Sequence, residues 1–446
     1  MERAAGSSLR SACHSIFDIS YDHCTRESAL GALKLTEPGR GSCWGCCLAH
    51  CPANAYRKDP ATGAVTIDPE RCIGCKYCSW ACPYDAPRFN PDLGIMQKCT
   101  LCDHRLAEGL PPACVANCPT GALGLAEMDP GAEGPAAPGF TRTEIHPAVQ
   151  FVPPRRGDRP PELTAPASRA EVDKVFDRTF PRLPAKITLG AEWPLLVFTS
   201  VAALLVAWFS AALLGGPPLV PAVFLGAGAA ALLLSAAHLG RKERAWRSIL
   251  NLPRSWLSLE VLSFPMFLGL GALQTLLFPD RPVLGALAAA VGLTSLFVID
   301  RVYQVALQGG RPNFHSAQAF FTGLFLAGVL SGRAWLYLPL GAVKLLLYLW
   351  RKERALNAPP GGARPEPAGG MRLATSALRV GLGFGLPLGV VLAPGVPSHA
   401  AAVAAVTAVL AGEWIDRGEF YDELDVISPR RQIQEDLEAA WRSLPR

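Results

Sequence analysis

A chain of 446 residues has room for two or three domains. Half of it is apolar, its formal net charge is +5, and all 14 cysteines precede residue 119. This excludes a disulfide framework spread across the fold, and so small a net charge gives no case for a nucleic-acid partner.

Met1 to Arg10 is followed by the polar run Ser11 to Tyr21, not by the apolar core of a secretory signal. The cysteine-rich part is therefore expected to mature in a reducing compartment, unless a partner carries it out. Residues 1–128 predict a small α+β domain, ferredoxin-like, with hairpins, such as the one suggested by Ala64-Val65-Thr66-Ile67, and a short helix after each Cys-Pro. Its core is rich in glycine and proline and buries little apolar area, so bound metal should supply much of its stability. Residues 129–187 predict a linker of proline, glycine, alanine and charge. Its apolar stretch Ile145 to Val152 is either a semi-ordered connector or a piece that docks on a partner subunit.

Residues 188–420 predict an all-α membrane domain of about eight transmembrane helices, at 193–214, 217–238, 260–278, 283–300, 315–332, 334–350, 373–393 and 398–415. Residues 421–446 form a tail. Seventeen lysines and arginines fall on one side of these spans, including Arg241, Lys242, Arg244, Arg351, Lys352 and Arg354, and only Arg281 and Arg333 fall on the other. The positive-inside rule makes the basic side cytoplasmic. An even number of spans puts both termini and the cysteine-rich domain there, in a multi-pass protein of the inner membrane.

The cysteines carry the chemistry. Cys72-Ile-Gly-Cys75-Lys-Tyr-Cys78-Ser-Trp-Ala-Cys82-Pro83 is the C-x2-C-x2-C-x3-C-P run in which three thiolates hold one 4Fe-4S cubane and the fourth reaches another. Zinc accepts C-x2-C pairs but has no use for a fourth cysteine before proline. Cys72, Cys75 and Cys78 take their fourth ligand from Cys51-Pro52, and Cys82 completes a set of Cys43, Cys46 and Cys47. Adjacent Cys46 and Cys47 must point different ways, so this second cluster is strained, differently ligated or absent. Cys99, Cys102 and Cys114 precede Cys118-Pro119 and need one more thiolate, for which Cys24 and Cys13 are the remaining candidates. Two clusters are expected, and three if that thiolate is found.

The run from Cys72 to Pro87, with Lys98 to Cys102, Arg105 to Gly109, Pro112 to Cys114 and Cys118 to Leu123, resembles the four-cluster electron-transfer subunit of the dimethyl sulfoxide reductase family. The membrane half is similar to that family's anchor subunit, fused behind it, through Glu192 to Leu195, His238 to Arg241, Arg244 to Trp246, Arg301 to Tyr303, Gly412-Glu413, Arg417-Gly418 and Phe420-Tyr421. One departure is plain. Phe17 to Cys24 resembles the opening of the family's first motif, but the other three cysteines of that motif do not follow.

Ionisable residues at the ends of spans carry functional hypotheses. His238 and Glu260 could exchange the two protons of quinone and quinol interconversion, or snorkel at the interface. The resemblance places a quinone site in this region. Arg301, Glu413 and Arg417 read first as an internal ion-pair set and second as part of that site, and Tyr303, Trp256 and Trp350 as interface anchors. The resemblance implies electron transfer between a molybdopterin catalytic subunit and the quinone pool in a sulfite-oxidising complex. Its alternative is a quinol-oxidising reductase of dimethyl sulfoxide or another sulfur compound. An alternative of another class is a non-redox anchor or assembly scaffold whose clusters have degenerated.

Overall fold

The computed structural model describes residues 32–38, 46–119, 121–128, 149–152, 169–179, 187–304, 314–357, 369–392 and 399–423, with 430, 432–434 and 436–437 near the C terminus. The chain divides into two compact units, one of residues 1–184 with 427–446 and one of residues 185–426.

In the first unit, strand β1 (Ala32–Pro38) is the centre of a three-stranded sheet. Its alternating Leu33-Lys34-Leu35-Thr36 suits a strand with one apolar face. Among the described residues four short helices and two hairpins precede its parallel partner: α1 (Cys46–His50), β2 (Tyr56–Lys58), β3 (Val65–Ile67), α2 (Tyr77–Ala81), β4 (Arg88–Asn90), β5 (Ile95–Gln97), α3 (Asp103–Ala107) and α4 (Ala113–Ala116). Then come β6 (Leu123–Met128), parallel to β1 with Leu123 opposite Leu33, and β7 (Val149–Val152), antiparallel with Phe151 opposite Leu33. The hairpin expected at Ala64 to Ile67 forms, with Tyr56 opposite Ile67. The short helices differ from expectation: α1, α2 and α4 lie before Cys51-Pro52, Cys82-Pro83 and Cys118-Pro119, not after them. A residue before proline is pushed out of the helical region, and Cys82 is accordingly extended, at φ −93° and ψ 113°.

The stretch expected to be linker contains β7 and helix α5 (Arg169–Thr179). Its apolar piece thus joins the chain's own sheet. The tail folds back as well: Arg430 pairs with Asp177 of α5 and lies over the Phe176 ring.

The second unit is helical: α6 (Leu189–Leu213), α7 (Pro221–Ala236), a 3-10 turn (Lys242–Ile249), α8 (Trp256–Ala272) with a π turn to Leu277, and α9 (Pro282–Gln304). It continues with α10 (Ala319–Leu330), α11 (Ala334–Asn357), α12 (Gly369–Val380), a π turn (Gly381–Gly385), α13 (Leu386–Leu392) and α14 (His399–Glu423). Helical segments lie at the described parts of each expected span, without making all eight of them long enough to cross a membrane. Among the described residues three stretches, Leu189–Leu213, Trp256–Leu277 and Pro282–Gln304, are long and apolar enough to cross a membrane. Helix α6 is apolar nearly all round and packs against α7, α9, α10 and α14, as a central helix should. Thr188 caps it by accepting from the Ala191 N–H at 3.2 Å. Phe209, Phe224 and Phe267 meet edge to face or tilted, with centroids 5.4–5.8 Å apart.

Candidate functional site

The loop Cys72 to Cys78 turns back on itself because Gly74 and Lys76 both take left-handed backbone, φ 69° and 60°. For lysine this costs on the order of 1–2 kcal/mol, a strain accepted where successive thiols must point inward. Cys51, Cys72 and Cys78 are buried. Cys51 is within electrostatic reach of Cys72, Cys75 of Cys51 and Cys72, and Cys78 of Cys75, Cys51 and Cys47. The fold therefore gathers the four residues that the sequence pairs, with Cys47 at their side. Burial first, and neighbouring thiolates second, push the Cys75 and Cys78 thiols above their ordinary value. Deprotonated ligands in such a place need a cation to offset them, and an all-thiol donor set suits iron-sulfur clusters. Among the described residues no three His, Cys, Asp or Glu side chains converge on one metal ion. A cubane needs no such convergence, since each iron takes its own thiolate.

Backbone amides face the sulfurs. Ala55 N–H donates to Cys51 Sγ at 3.3 Å, and Met96 N–H, on hairpin strand β5, donates to Cys72 Sγ at 3.4 Å. Leu101 N–H donates to Cys99 Sγ at 3.4 Å, in a turn where Leu101 and Cys102 are both left-handed. Cys99, Cys102, Cys114 and Cys118 are half-buried, and Cys47 and Cys82 are buried. Cys13, Cys24, Cys43 and the side chain of Cys46 lie outside the described residues, so the second and third ligand sets are seen only in part.

The helical unit holds a second concentration of polar groups. Lys344 Nζ donates to Glu413 at 2.9 Å and to Thr322 at 3.0 Å. Arg379 bridges Glu413 at 2.9 Å and Asp416 at 3.0 Å, Arg351 reaches Asp416 at 2.8 Å, and Lys352 reaches Glu419 at 2.9 Å. Ser316 donates to Asp416 at 2.9 Å. Asp300, near the end of α9, accepts from the Ala319 and Phe320 N–H groups at 2.6 and 2.9 Å and so caps α10. The Tyr303 and Tyr421 hydroxyls lie 2.6 Å apart.

Residues 41–128 match the 4Fe-4S dicluster domain family, and residues 218–349 match the dimethyl sulfoxide reductase anchor subunit family (DmsC). The chain joins a 4Fe-4S dicluster domain to a dimethyl sulfoxide reductase-type anchor domain. Over 108 residues it is 44% identical to the thiosulfate reductase electron transfer subunit of Salmonella typhi, covering 23% of this chain and 56% of that protein. It is 46% identical over 83 residues to one of the chains of the anaerobic dimethyl sulfoxide reductase of Escherichia coli, covering 19% and 40%. It is 42% identical over 94 residues to one of the subunits of the sulfite dehydrogenase of Allochromatium vinosum, covering 20% and 39%. The protein thus covers less than two thirds of each of these relatives.

Within the helical unit, the five residues singled out from sequence fall in different places. His238 Nδ1–H donates to the Ser235 carbonyl of the preceding turn. Glu260 is buried on α8 within electrostatic reach of Asp300, Tyr303 and Tyr421. Glu413 sits in an ion-pair set, but with Lys344 and Arg379 as its cations. Arg417 donates to Thr199, and Arg301 instead lies over the Trp256 ring at 5.1 Å and bonds Gln304. Tyr303, expected at the interface, is buried. Lys344, Arg351, Arg379, Asp416 and Glu419 were missed, as were Asp300 and His315. Two signals were available: a lone lysine inside the apolar run 334–350, and acids at 413, 416 and 419, three apart on one helix face.

Proposed function

We propose that this protein carries electrons between a molybdopterin-containing catalytic subunit and a quinone held by the membrane-anchor domain. The observation that carries the reading is the convergence of Cys51, Cys72, Cys75 and Cys78 in a dicluster domain that precedes an anchor domain in the same polypeptide. When bound, each 4Fe-4S cluster supplies one-electron transfer. Cys51, Cys72, Cys75 and Cys78 hold one cluster, and Cys43, Cys46, Cys47 and Cys82 a second. Cys99, Cys102, Cys114 and Cys118 contribute to a third, which Cys24 completes if it reaches them. The amides of Ala55 and Met96 stabilise charge on the ligand sulfurs.

In this reading the dicluster domain occupies residues 1–128, joined by 129–187, which adds β7 to its sheet, to the anchor 188–420 with eight spans and a tail 421–446, with both termini on the cytoplasmic side of the inner membrane. His238 and Glu260 form the quinone site, with Arg301, Glu413 and Arg417 in supporting places. The proposed substrate of the catalytic subunit is sulfite, oxidised with electrons passing to quinone. The cytoplasmic orientation expected from the loop charges and the likeness to the sulfite dehydrogenase subunit support this. The likeness to the dimethyl sulfoxide reductase of Escherichia coli and the anchor-subunit match favour a second reading, reduction of a sulfur compound by quinol.

Anaerobic purification of the complex with its catalytic partner tests both. Sulfite-dependent quinone reduction supports the first reading, and quinol oxidation dependent on dimethyl sulfoxide or thiosulfate supports the second. Fewer than about four irons per chain would sink electron transfer and leave an anchor or scaffold.

A further inference from the structure

A small cavity in the helical unit is lined by Asp300, Tyr303, His315, Arg417, Phe420 and Tyr421. Two of its polar side chains have bonding capacity to spare. His315 is 7% exposed and stacks flat on Phe420 at 4.1 Å, and its Nδ1 has no hydrogen-bond partner among the described residues. Arg417 is 5% exposed, and its Nε and Nη2 likewise have none. Buried groups of this kind are held at a cost unless water or a ligand satisfies them. A cavity this small and polar is suited to water.

Carboxylates line and adjoin the cavity. Asp300 lines it and lies within electrostatic reach of Arg417, with Glu260 beyond. Ser316, next to His315, donates to Asp416 at 2.9 Å. Along α14, Glu413, Asp416 and Glu419 are three residues apart, so the outer two are separated by about 9 Å along the helix axis. The Asp416 side chain is fully buried, and Arg351 pairs with both Asp416 and Glu419. Lys344, Arg351 and Arg379 face it from α11 and α12, and Glu192 faces Tyr421 from α6. Electron transfer through clusters needs none of these groups, whereas a quinone needs protons.

We propose that the helical unit contains a proton path running through the water-holding cavity of His315, Tyr303, Tyr421 and Arg417 to Asp300 and Glu260. It rests on the electron-transfer reading above. For each quinone reduced to quinol, two electrons arrive from the dicluster domain and two protons from this path, both ending on the quinone oxygens. Quinol oxidation runs the same transfers in reverse.

The test uses the complete complex in membrane vesicles, with menadiol as electron donor and cluster absorbance as readout. Tyr421→Phe, His315→Gln and Glu260→Gln should each slow menadiol-driven cluster reduction at least tenfold and leave dithionite reduction unchanged. Added azide, a small weak acid, should restore part of the rate, and so should Glu260→Asp in place of Glu260→Gln. Wild-type rates in all three variants, or slow rates that neither azide nor Glu260→Asp improves, would overturn the path. If menadiol does not reduce the wild-type clusters, the electron-transfer reading itself fails.

Discussion

The Lys344 ammonium lies 2.9 Å from a Glu413 carboxylate oxygen, with side chains 0% and 3% exposed. Removing one member of a buried pair strands the other charge, at a cost of about 3–5 kcal/mol. Arg379 also holds Glu413, so Lys344→Met is expected to fall at the lower end of that range. Lys344→Met combined with Glu413→Gln should recover part of the loss. Thermal unfolding in detergent measures both, and a double variant less stable than the single would contradict the pairing.

The ion pairs depend on close helix approach. A Cβ at Gly412 would fall 2.7 Å from the Gly383 backbone, and backbone cannot yield as a side chain does. Gly412→Ala should push α14 away from the π turn after α12, loosening Arg379 from Glu413 and Asp416. The expected loss is about 1–3 kcal/mol. Gly389→Ala, where added bulk meets nothing within 4 Å, is the matched control and should be tolerated.

Cys51→Ser and Cys75→Ser should each lower the iron content by about four per chain, and by the same amount, because both belong to one set. Cys118→Ser should leave that set intact. Iron and acid-labile sulfide assays on anaerobically purified protein read the difference directly.

Asp59 closes the turn between β2 and β3 by accepting from Thr62 Oγ1 at 2.6 Å and from the Ala61 N–H at 3.1 Å. The Thr62 hydroxyl foremost, with the Ala61 amide, holds its carboxyl below the usual 3.8. A depressed value favours the fold above pH 3.8, and the contribution disappears as pH falls through the lower, folded value. A carboxylate titration by NMR should show Asp59 with a midpoint below 3.8, moving back up in Thr62→Ala.

Much of the cluster site was legible in sequence because ligand spacing is a local property. The C-x2-C-x2-C turn needs only two left-handed residues, Gly74 and Lys76, to aim its thiols inward. Cys51 could be joined to that triplet by counting ligands. The helices after each Cys-Pro were misplaced because proline's effect falls on the residue before it, where it ends a helix. The strand Val149–Val152 was read as linker because its pairing partner, β1, lies more than a hundred residues away.

The sequence by itself determined the iron-sulfur motif, the apolar segments and the order in which they follow one another, since thiolate spacing and span length are written along the chain. Only the tertiary structure decided which buried charges meet. Tyr303 and Tyr421 are 118 positions apart, Lys344 and Glu413 are 69, and Ser316 and Asp416 are 100. The periodicity of one helix tells which face it buries but not which helix will cross it there, and in an apolar interior that crossing alone settles the partner of each charge.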